Sequence, residues 1–301
     1  MGLIRFTDAL GREITFGSAP KRVVSLVPSD TFNIAALGCE SAIVGRTDYC
    51  ELPDSIKAVP SVGGTKNPRV ADIAALSPDL VIANKEENTR GDLEALVQEH
   101  RIRVYVCFPK RVEEGLAHLA RLARIFQVEG DAKVKALVQE GYAAVRSAEE
   151  RRKLQMPLRT FCPIWMDPLM TVHGATFISD MLDLVGAQNV FADRERRFPL
   201  AADIGKAKPL PPDRTEGRDT RYPRVTLEEV TLRQPELVLL PDEPHPFTEA
   251  DAAVFRGLAI PAAQRNAVVF TPGKDLCWYG AQSVQGIERL RASLDPFRIP
   301  N

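Results

Sequence analysis

One long amphipathic segment, between Gly130 and Pro157, constrains the fold of this chain more than any other stretch. Its apolar residues recur every three or four positions, which is the spacing of one face of an α-helix. They are Val134, Leu137, Val138, Tyr142 and Val145. Asp131 near the start and Arg152 near the end offset the helix dipole, and Pro157 ends the pattern. At ~1.5 Å per residue the segment predicts a rod of roughly 35–38 Å, the span of a small domain.

Short apolar strands alternate with helices on both sides of this rod. After the rod, residues 225–240 repeat the order found at residues 70–82: a short helix, a turn of proline next to an acid, and an apolar strand. Such alternation predicts parallel sheets whose ligand sites lie at the carboxyl ends of the strands. The sequence therefore predicts an α/β protein with two Rossmann-like lobes joined by one long helix.

The predicted domain boundaries follow from these patterns, and 301 residues are enough for two hydrophobic cores. We expect an N-terminal hairpin over residues 1–20, a first α/β lobe over 21–128, the linking helix over 129–156 and a second lobe over 157–301. Within the second lobe, residues 206–223 are rich in proline, glycine and charge, which predicts an excursion loop.

Charge and composition exclude several classes of protein. The 39 Lys and Arg nearly balance the 40 Asp and Glu, so electrostatics favours neither nucleic acid nor an anionic membrane as partner. No apolar run reaches the ~18–20 residues of a membrane span. The first residues lack the apolar core of a secretory leader, so we expect either a removed leader or a cytoplasmic location. The five cysteines include no CxxC pair and predict neither a zinc knuckle nor a disulfide framework.

Motifs in order along the chain resemble those of substrate-binding proteins of ABC importers for vitamin B12 and ferric siderophores. In the first lobe they are Arg22-Val-Val-Ser-Leu-Val-Pro-Ser29, Val44-Gly-Arg-Thr-Asp-Tyr49, Val62-Gly-Gly64 with Asn67-Pro68, and Leu76-Ser-Pro-Asp-Leu-Val-Ile-Ala83. In the second they are Trp165-Met-Asp-Pro-Leu-Met-Thr-Val-His-Gly174, Phe177-Ile-Ser-Asp-Met-Leu182, Gly186-Ala-Gln-Asn-Val-Phe-Ala-Asp193 and Trp278-Tyr-Gly280. The resemblance covers nearly the whole chain from about Lys21. It implies two lobes, a rigid linking helix, and a ligand held in the cleft between the lobes without chemistry on it.

Loops just after strands are the candidates for ligand contact. In the first lobe these are Pro28, Ser29, Tyr49, Thr65, Lys66 and Lys85. In the second lobe they are Trp165, Met166, Asp167, His173, Trp278 and Tyr279. A planar macrocycle or a catecholate needs broad apolar faces, which the aromatic members of this set supply. We expect a corrinoid or ferric siderophore as ligand, with no catalytic residue, no cofactor and no metal ion bound by the protein itself.

Departures from the family pattern bear on which chelate binds. Thr65 and Asn84 align with positions where the best-known B12 binder stacks tryptophan. Ala281 and Gln282 follow the Trp-Tyr-Gly motif, where many siderophore binders carry an arginine. A cationic clamp would therefore come from Lys66, Lys85 or Arg46. The four histidines share no spacing that suits a bare zinc or manganese ion, and His100 and His118 fall in predicted helices, away from the loops.

The resemblance also implies docking on the permease of an importer through one carboxylate near the start of an exposed helix in each lobe. Glu228 matches this position in the second lobe, whereas the first-lobe position falls on Ala71, next to Asp72. The implied partners are permease and ATPase subunits, and we expect a monomer in the periplasm or on the extracytoplasmic surface. Two alternatives stay open: a cytosolic sensor or carrier of metal chelates, and a bilobal chelatase-like enzyme. The enzyme is disfavoured because GxSxG, phosphate-loop and HExxH motifs are missing.

Overall fold

A four-stranded parallel sheet lies at the centre of each half of the chain. The computed structural model describes residues 3–298. These residues form two units. Unit 1 comprises residues 3–109, Glu113–Tyr142 and Trp278–Val284, and unit 2 comprises Lys110–Val112, Ala143–Cys277 and residues 285–298.

Unit 1 begins with a hairpin and continues with alternating strands and helices. Its elements are β1 (Ile4–Thr7), β2 (Glu13–Phe16), β3 (Val23–Ser25), α1 (Pro28–Ala36), β4 (Ile43–Arg46), α2 (Val70–Ala75), β5 (Leu80–Asn84), α3 (Arg90–Gln98), β6 (Val104–Cys107), α4 (Val112–Ile125) and the start of α5 (Ala132–Arg152). The strand order is β4-β3-β5-β6, with every pair parallel, and β1 pairs with β2 antiparallel. All four strands therefore end at one edge, called the carboxyl edge below.

Unit 2 repeats this plan with a different strand order. Its elements are β7 (Leu158–Phe161), β8 (Pro163–Trp165), β9 (Met170–Thr171), α6 (Phe177–Leu184), β10 (Ala187–Asn189), α7 (Leu200–Asp203), α8 (Leu227–Arg233), β11 (Leu237–Pro241), α9 (Glu249–Arg256), α10 (Pro261–Gln264), β12 (Val268–Thr271), α11 (Gly273–Cys277) and most of α12 (Ala281–Leu294). The central order β10-β7-β11-β12 is parallel throughout, and β8 and β9 form a separate antiparallel pair. The predicted fold class of two α/β lobes with parallel sheets is confirmed.

Burial explains why the strands form where they do. All five residues of β5 and all five of β11 are buried, as expected for the central strands of sheets covered on both faces. In unit 1 the helices α2 and α3 place Ile73, Leu93 and Leu96 against the sheet. Burying each such side chain contributes about 1.5–3 kcal/mol. The apolar faces of both sheets thus fix the strands and leave polar and aromatic residues to the loops at the carboxyl edges.

The long helix α5 is continuous over 21 residues, and the chain passes from unit 1 to unit 2 within it. The chain returns to unit 1 for Trp278–Val284, which the sequence assigned to the second lobe. Gly280 makes this return possible, because its φ is +83° and a Cβ there would lie 2.4 Å from Asn33 Oδ1. The Asn33 Oδ1 atom accepts a hydrogen bond of 2.8 Å from the backbone N–H of Ala281. Among residues 3–298, no helix has the length and apolar character needed to cross a bilayer.

Candidate functional site

The carboxyl edge of unit 1 brings most of its predicted ligand residues into neighbouring loops. Tyr49 follows β4 with 62% of its surface exposed, and Lys85 follows β5 and is exposed. Pro28 opens α1 after β3 and is partly exposed, whereas Ser29 next to it is buried. Exposed Tyr49 and Lys85 are therefore available to a ligand, and Ser29 is not.

Asn88 joins the loop after β5 to the loop that carries Thr65 and Lys66. Its Nδ2 donates to Thr65 O at 2.9 Å, and its Oδ1 accepts from the backbone N–H of Asn84 at 2.8 Å. The Lys66 ammonium donates to the backbone oxygen of Glu86. Thr65 is buried, so the exposed Lys66 is the member of this loop that can meet a ligand.

A buried polar cluster lies beneath this edge, centred on Asp30. Its carboxylate pairs with His118 Nε2 at 2.6 Å and accepts from Tyr279 Oη at 2.9 Å, Asn33 Nδ2 at 3.3 Å and Cys107 Sγ at 3.4 Å. All five side chains are at least 95% buried. Burial would raise the pKa of Asp30, but the interactions with His118, Tyr279 and Cys107 outweigh it and hold the pKa below its ordinary value. This cluster, called the Asp30 cluster below, is a buried carboxylate stabilised by four donors.

Tyr279 and Trp278 belong to the interior of unit 1, in contrast to the expectation that they line the ligand site. Each is 5% exposed, and the Trp278 ring packs 6.0 Å from Phe32. The reason is the hydrogen bond from Tyr279 to Asp30, a residue 249 positions earlier in the chain. Sequence reasoning missed the Asp30 cluster because no local motif joins residues so far apart.

Three members of the Asp30 cluster are also possible metal ligands. Atoms of Asp30, Cys107 and His118 lie within 4.8 Å of one another. However, burial and the nearby charge of Asp30 raise the pKa of the Cys107 thiol well above its ordinary value. A metal ion would have to displace that proton and the His118–Asp30 hydrogen bond. The arrangement therefore suits internal hydrogen bonding better than metal binding.

The carboxyl edge of unit 2 exposes an aromatic cluster. Trp165 continues the chain beyond β7, and His245 lies in the loop after the neighbouring strand β11. Their ring centroids are 5.2 Å apart, and Phe247 meets the His245 ring edge-on at 4.7 Å. Trp165 is 42% exposed, and its indole N–H donates to Asp167 O at 2.9 Å, which fixes the ring. These three rings, called the aromatic cluster below, give this edge a rigid apolar face.

Three further predicted residues lie close to Trp165 along the chain. Met166 and Asp167 follow it directly, and His173 lies two residues after β9. Asp167 is exposed, and Met166 and His173 are partly exposed. The backbone N–H of Ala175 donates to His173 Nδ1 at 3.0 Å, so the neutral ring carries its proton on Nε2. His173 is thereby set to donate a hydrogen bond to an acceptor on a ligand. His245, by contrast, was not among the predicted residues, and its only sequence signal is its place in the loop after an apolar strand.

The two carboxylates expected to dock on a transporter differ in their surroundings. Thr226 caps α8 by accepting a hydrogen bond from the N–H of Glu229, which places Glu228 in the exposed first turn. Leu232, one turn further on, is 77% exposed. Asp72 in α2 is instead engaged by Arg69, with the two side chains about half exposed. Asp72 thus has an ion-pair partner beside it, whereas Glu228 forms no ion pair within 4.0 Å among residues 3–298.

Comparison with known proteins identifies the family of this chain. A model of the periplasmic binding protein family matches residues 23–222. This chain belongs to the periplasmic binding protein family. The vitamin B12-binding protein of Yersinia pestis (strain Pestoides F) is 26% identical over 248 residues, covering 82% of this chain and 79% of the relative.

Solved structures of family members have the same fold. The periplasmic vitamin B12 binding protein BtuF of Vibrio cholerae superposes with a TM-score of 0.71 at 18% identity, covering 92% of this chain and 98% of its own. A periplasmic heme binding protein from Pseudomonas aeruginosa gives 0.71 at 19% identity, covering 94% and 95%. A protein of an ABC-type Fe³⁺-hydroxamate transport system from Saccharomonospora viridis gives 0.69 at 20%, covering 97% and 98%. The predicted family resemblance is confirmed, and with it the general role of a solute-binding protein.

Proposed function

We propose that this periplasmic binding protein captures a metal chelate, either a corrinoid or a ferric siderophore, and delivers it to an ABC importer without altering it. Family membership supports binding rather than catalysis, since the named relatives bind vitamin B12, heme or belong to a Fe³⁺-hydroxamate transport system. We further propose that the protein works outside the cytoplasmic membrane, as a monomer, with permease and ATPase subunits as its partners.

The observation that carries the proposal is the aromatic cluster. Of the 20 Phe, Tyr and Trp residues, 10 are buried, whereas Trp165 is 42% exposed, and its indole N–H is already satisfied by a backbone oxygen. An exposed, fixed ring gains little from solvent and presents a flat apolar surface at low entropic cost to a ligand. A corrin, a porphyrin or a catecholate ring supplies the complementary flat surface.

Affinity measurements on single-tryptophan variants test this proposal. The chain contains two tryptophans, Trp165 and Trp278, so Trp278→Phe leaves the fluorescence of Trp165 alone. The variant is titrated with cobalamin, cobinamide, iron protoporphyrin IX and ferric hydroxamate and catecholate siderophores. We expect saturable quenching by at least one chelate. No response to any member of this panel, confirmed by equilibrium dialysis, would refute the proposed ligand class.

Delivery to an importer is tested separately from binding. Membranes containing the cognate permease and ATPase should hydrolyse more ATP when the loaded protein is added, and loaded protein should stimulate more than empty protein. Saturable chelate binding with no effect on any importer, together with a cytoplasmic location, would instead favour the cytosolic carrier.

A further inference from the structure

The segment from Arg194 to Arg224 in unit 2 differs in charge from the rest of the chain. It contains nine Lys and Arg but five Asp and Glu, a net charge of +4, whereas the whole chain has a net charge of −1. A local excess of one sign raises the local concentration of ligands of the opposite sign. Its position relative to the aromatic cluster of the same unit determines whether this positive charge can act on the same ligand.

Backbone hydrogen bonds place the segment beside the strand pair that carries Trp165. Residue Met170 of β9 bridges to Arg224, and the N–H of His173 donates to Arg221 O at 2.8 Å. The N–H of Arg196 donates in turn to Thr220 O at 2.7 Å. On its other side β9 pairs with β8, which ends at Trp165. The arginine-rich segment thus extends the small sheet that presents the aromatic cluster.

Some arginines of the segment are committed to the fold. Arg194 is buried and pairs with Asp203 at 3.0 Å and with Glu229 at 2.9 Å. Arg221 binds Asp219 through two nitrogens, at 2.9 and 2.6 Å. Burial would raise the pKa of Asp219, but the hydrogen bonds from Arg221 outweigh it and lower the pKa, with a smaller contribution from the charge of Arg196. The carboxylates of Asp203 and Glu229 therefore pair with Arg194, and the carboxylate of Asp219 pairs mainly with Arg221.

Other arginines are left without a carboxylate of their own. The guanidinium groups of Arg196 and Arg218 both lie over the ring of Phe198, at 5.5 and 4.9 Å from its centroid. Within residues 3–298, neither forms an ion pair shorter than 4.0 Å. Arg196 Nε and Arg224 Nε are buried and have no hydrogen-bond partner among these residues. A buried guanidinium N–H without an acceptor costs stability unless another group supplies one.

We propose that Arg196 and Arg218, which share the ring of Phe198, form a cationic subsite that selects chelates bearing carboxylates or another anionic group. The inference rests on the proposed function and adds the charge class of the ligand. A guanidinium binds a carboxylate with two parallel hydrogen bonds, and stacking on Phe198 holds both of these groups in place. The aromatic cluster contacts the flat core of the chelate, and the cationic subsite contacts its anionic substituent.

Ligand pairs that share one core and differ chiefly in charge test this subsite. Three cores are used: a ferric trihydroxamate with its terminal amine succinylated or acetylated, iron protoporphyrin IX or its dimethyl ester, and a corrinoid with free acids or amides. For the core that binds, we expect the anionic form to bind at least ~10-fold tighter than the neutral form, about 1.4 kcal/mol. The preference should shrink when ionic strength is raised from low to high salt, because exposed charges are screened.

The double variant Arg196→Gln, Arg218→Gln should lower the preference for the anionic form to within ~3-fold, because binding of the anionic form weakens. The control double variant Arg5→Gln, Arg90→Gln, at two exposed arginines of unit 1 and with the same loss of two positive charges, should keep the full preference. Circular dichroism and the melting temperature verify that both variants fold. Equal binding of the charged and neutral forms would overturn the subsite alone. Absence of binding by every form of all three cores would overturn the proposed function and the subsite together.

Discussion

The carboxyl edges of the two sheets satisfy their polar groups in different ways. In unit 1, four donors from four parts of the chain converge on the carboxylate of Asp30, and the resulting cluster is sealed from solvent. In unit 2, Trp165 stays exposed, and nitrogens of Arg196, Arg224 and His245 have no hydrogen-bond partner among residues 3–298. One edge completes its hydrogen bonds internally, whereas the other combines an exposed indole ring with buried nitrogens that have no partner among the described residues.

We infer from this difference that residues at equivalent places in a repeated fold serve stability in unit 1 and recognition in unit 2. Both edges follow buried parallel strands, so position alone does not separate these roles. What separates the two roles is the set of hydrogen-bond and packing partners of each side chain. We infer that substitutions in the Asp30 cluster change mainly the free energy of unfolding, whereas substitutions around the aromatic cluster change mainly ligand affinity.

Replacing the centre of the Asp30 cluster should give the largest effect. We expect Asp30→Ala to lower the free energy of unfolding by about 3–5 kcal/mol, because it leaves His118 and Tyr279 buried without their acceptor. Urea unfolding followed by circular dichroism measures the change. Glu94→Gln, at an exposed ion pair of α3, is the control and should cost less than about 1 kcal/mol. A loss at Asp30 no larger than that of the control would contradict the role of the cluster.

Removing the exposed ring should change binding and leave stability nearly intact. We expect Trp165→Ala to weaken chelate binding by about 10- to 100-fold, equivalent to about 1.4–2.7 kcal/mol, with little change in melting temperature. Isothermal titration calorimetry and thermal unfolding measure the two quantities. Trp278→Phe, at the buried ring of unit 1, should leave affinity unchanged. A large loss of stability in Trp165→Ala with unchanged affinity would mark the ring as part of the core.

Removal of the Tyr279 hydroxyl tests what one donor contributes to the Asp30 cluster. We expect Tyr279→Phe to lower the free energy of unfolding by about 1–2 kcal/mol, because Asp30 loses one donor and Asn84 Nδ2 loses the nearer of its two acceptors, at 3.2 Å. Chemical denaturation of the variant beside the unaltered protein measures the difference. An affinity loss larger than the stability loss would show instead that Tyr279 contacts the ligand.

Acidification should remove the contribution of Asp30 gradually. Its pKa lies below the ordinary value of 3.8, chiefly because the interaction with His118 overcomes the cost of burial. A carboxyl with a lowered pKa stabilises the fold above its unfolded-state pKa, and this contribution is lost as pH falls through the folded-state pKa. The difference in unfolding free energy between the protein and Asp30→Asn should therefore be constant above about pH 5 and shrink below 3.8. A difference that grows on acidification would reverse this assignment.

The smallest effect on the isolated protein is expected at Glu228. The side chain is exposed in the first turn of α8, so Glu228→Gln should change stability by less than about 0.5 kcal/mol and leave chelate affinity unchanged. Importer stimulation should nevertheless fall, whereas Asp72→Asn, whose carboxylate is engaged by Arg69, should lower it less. Equal stimulation by all three proteins would remove Glu228 from the docking surface.

Periodicity and turn chemistry predicted the fold class because both report local physics. The apolar strands 80–83 and 237–240, the Pro-acid turns before them and the long stripe at 134–145 all have a signal within one window of sequence. Exposed Trp165 and Tyr49 were predicted for the same reason, since Tyr49 lies three residues after β4 and Trp165 four residues after β7. The structure places α5 at Ala132–Arg152, within the predicted range of 129–156.

Long-range pairing set the limit of prediction from sequence. Whether Tyr279 faces a ligand or Asp30 depends on contacts between residues 249 positions apart, which no local pattern encodes. The same holds for His245, whose ring meets Trp165 from a different loop 80 positions away. The charge of the segment from Arg194 to Arg224 was visible in the sequence, but its position beside β9 was not.

Radical footprinting of Trp165 with and without a bound chelate tests the central claim most directly. The tightest-binding ligand is used as cobalamin or as a redox-inert gallium(III) complex, and oxidation of each tryptophan-containing peptide is followed by mass spectrometry. The account predicts that saturation with ligand slows oxidation of Trp165 severalfold and leaves the already protected Trp278 unchanged. An unchanged oxidation rate at Trp165 under saturation would contradict the assignment of this edge as the ligand face.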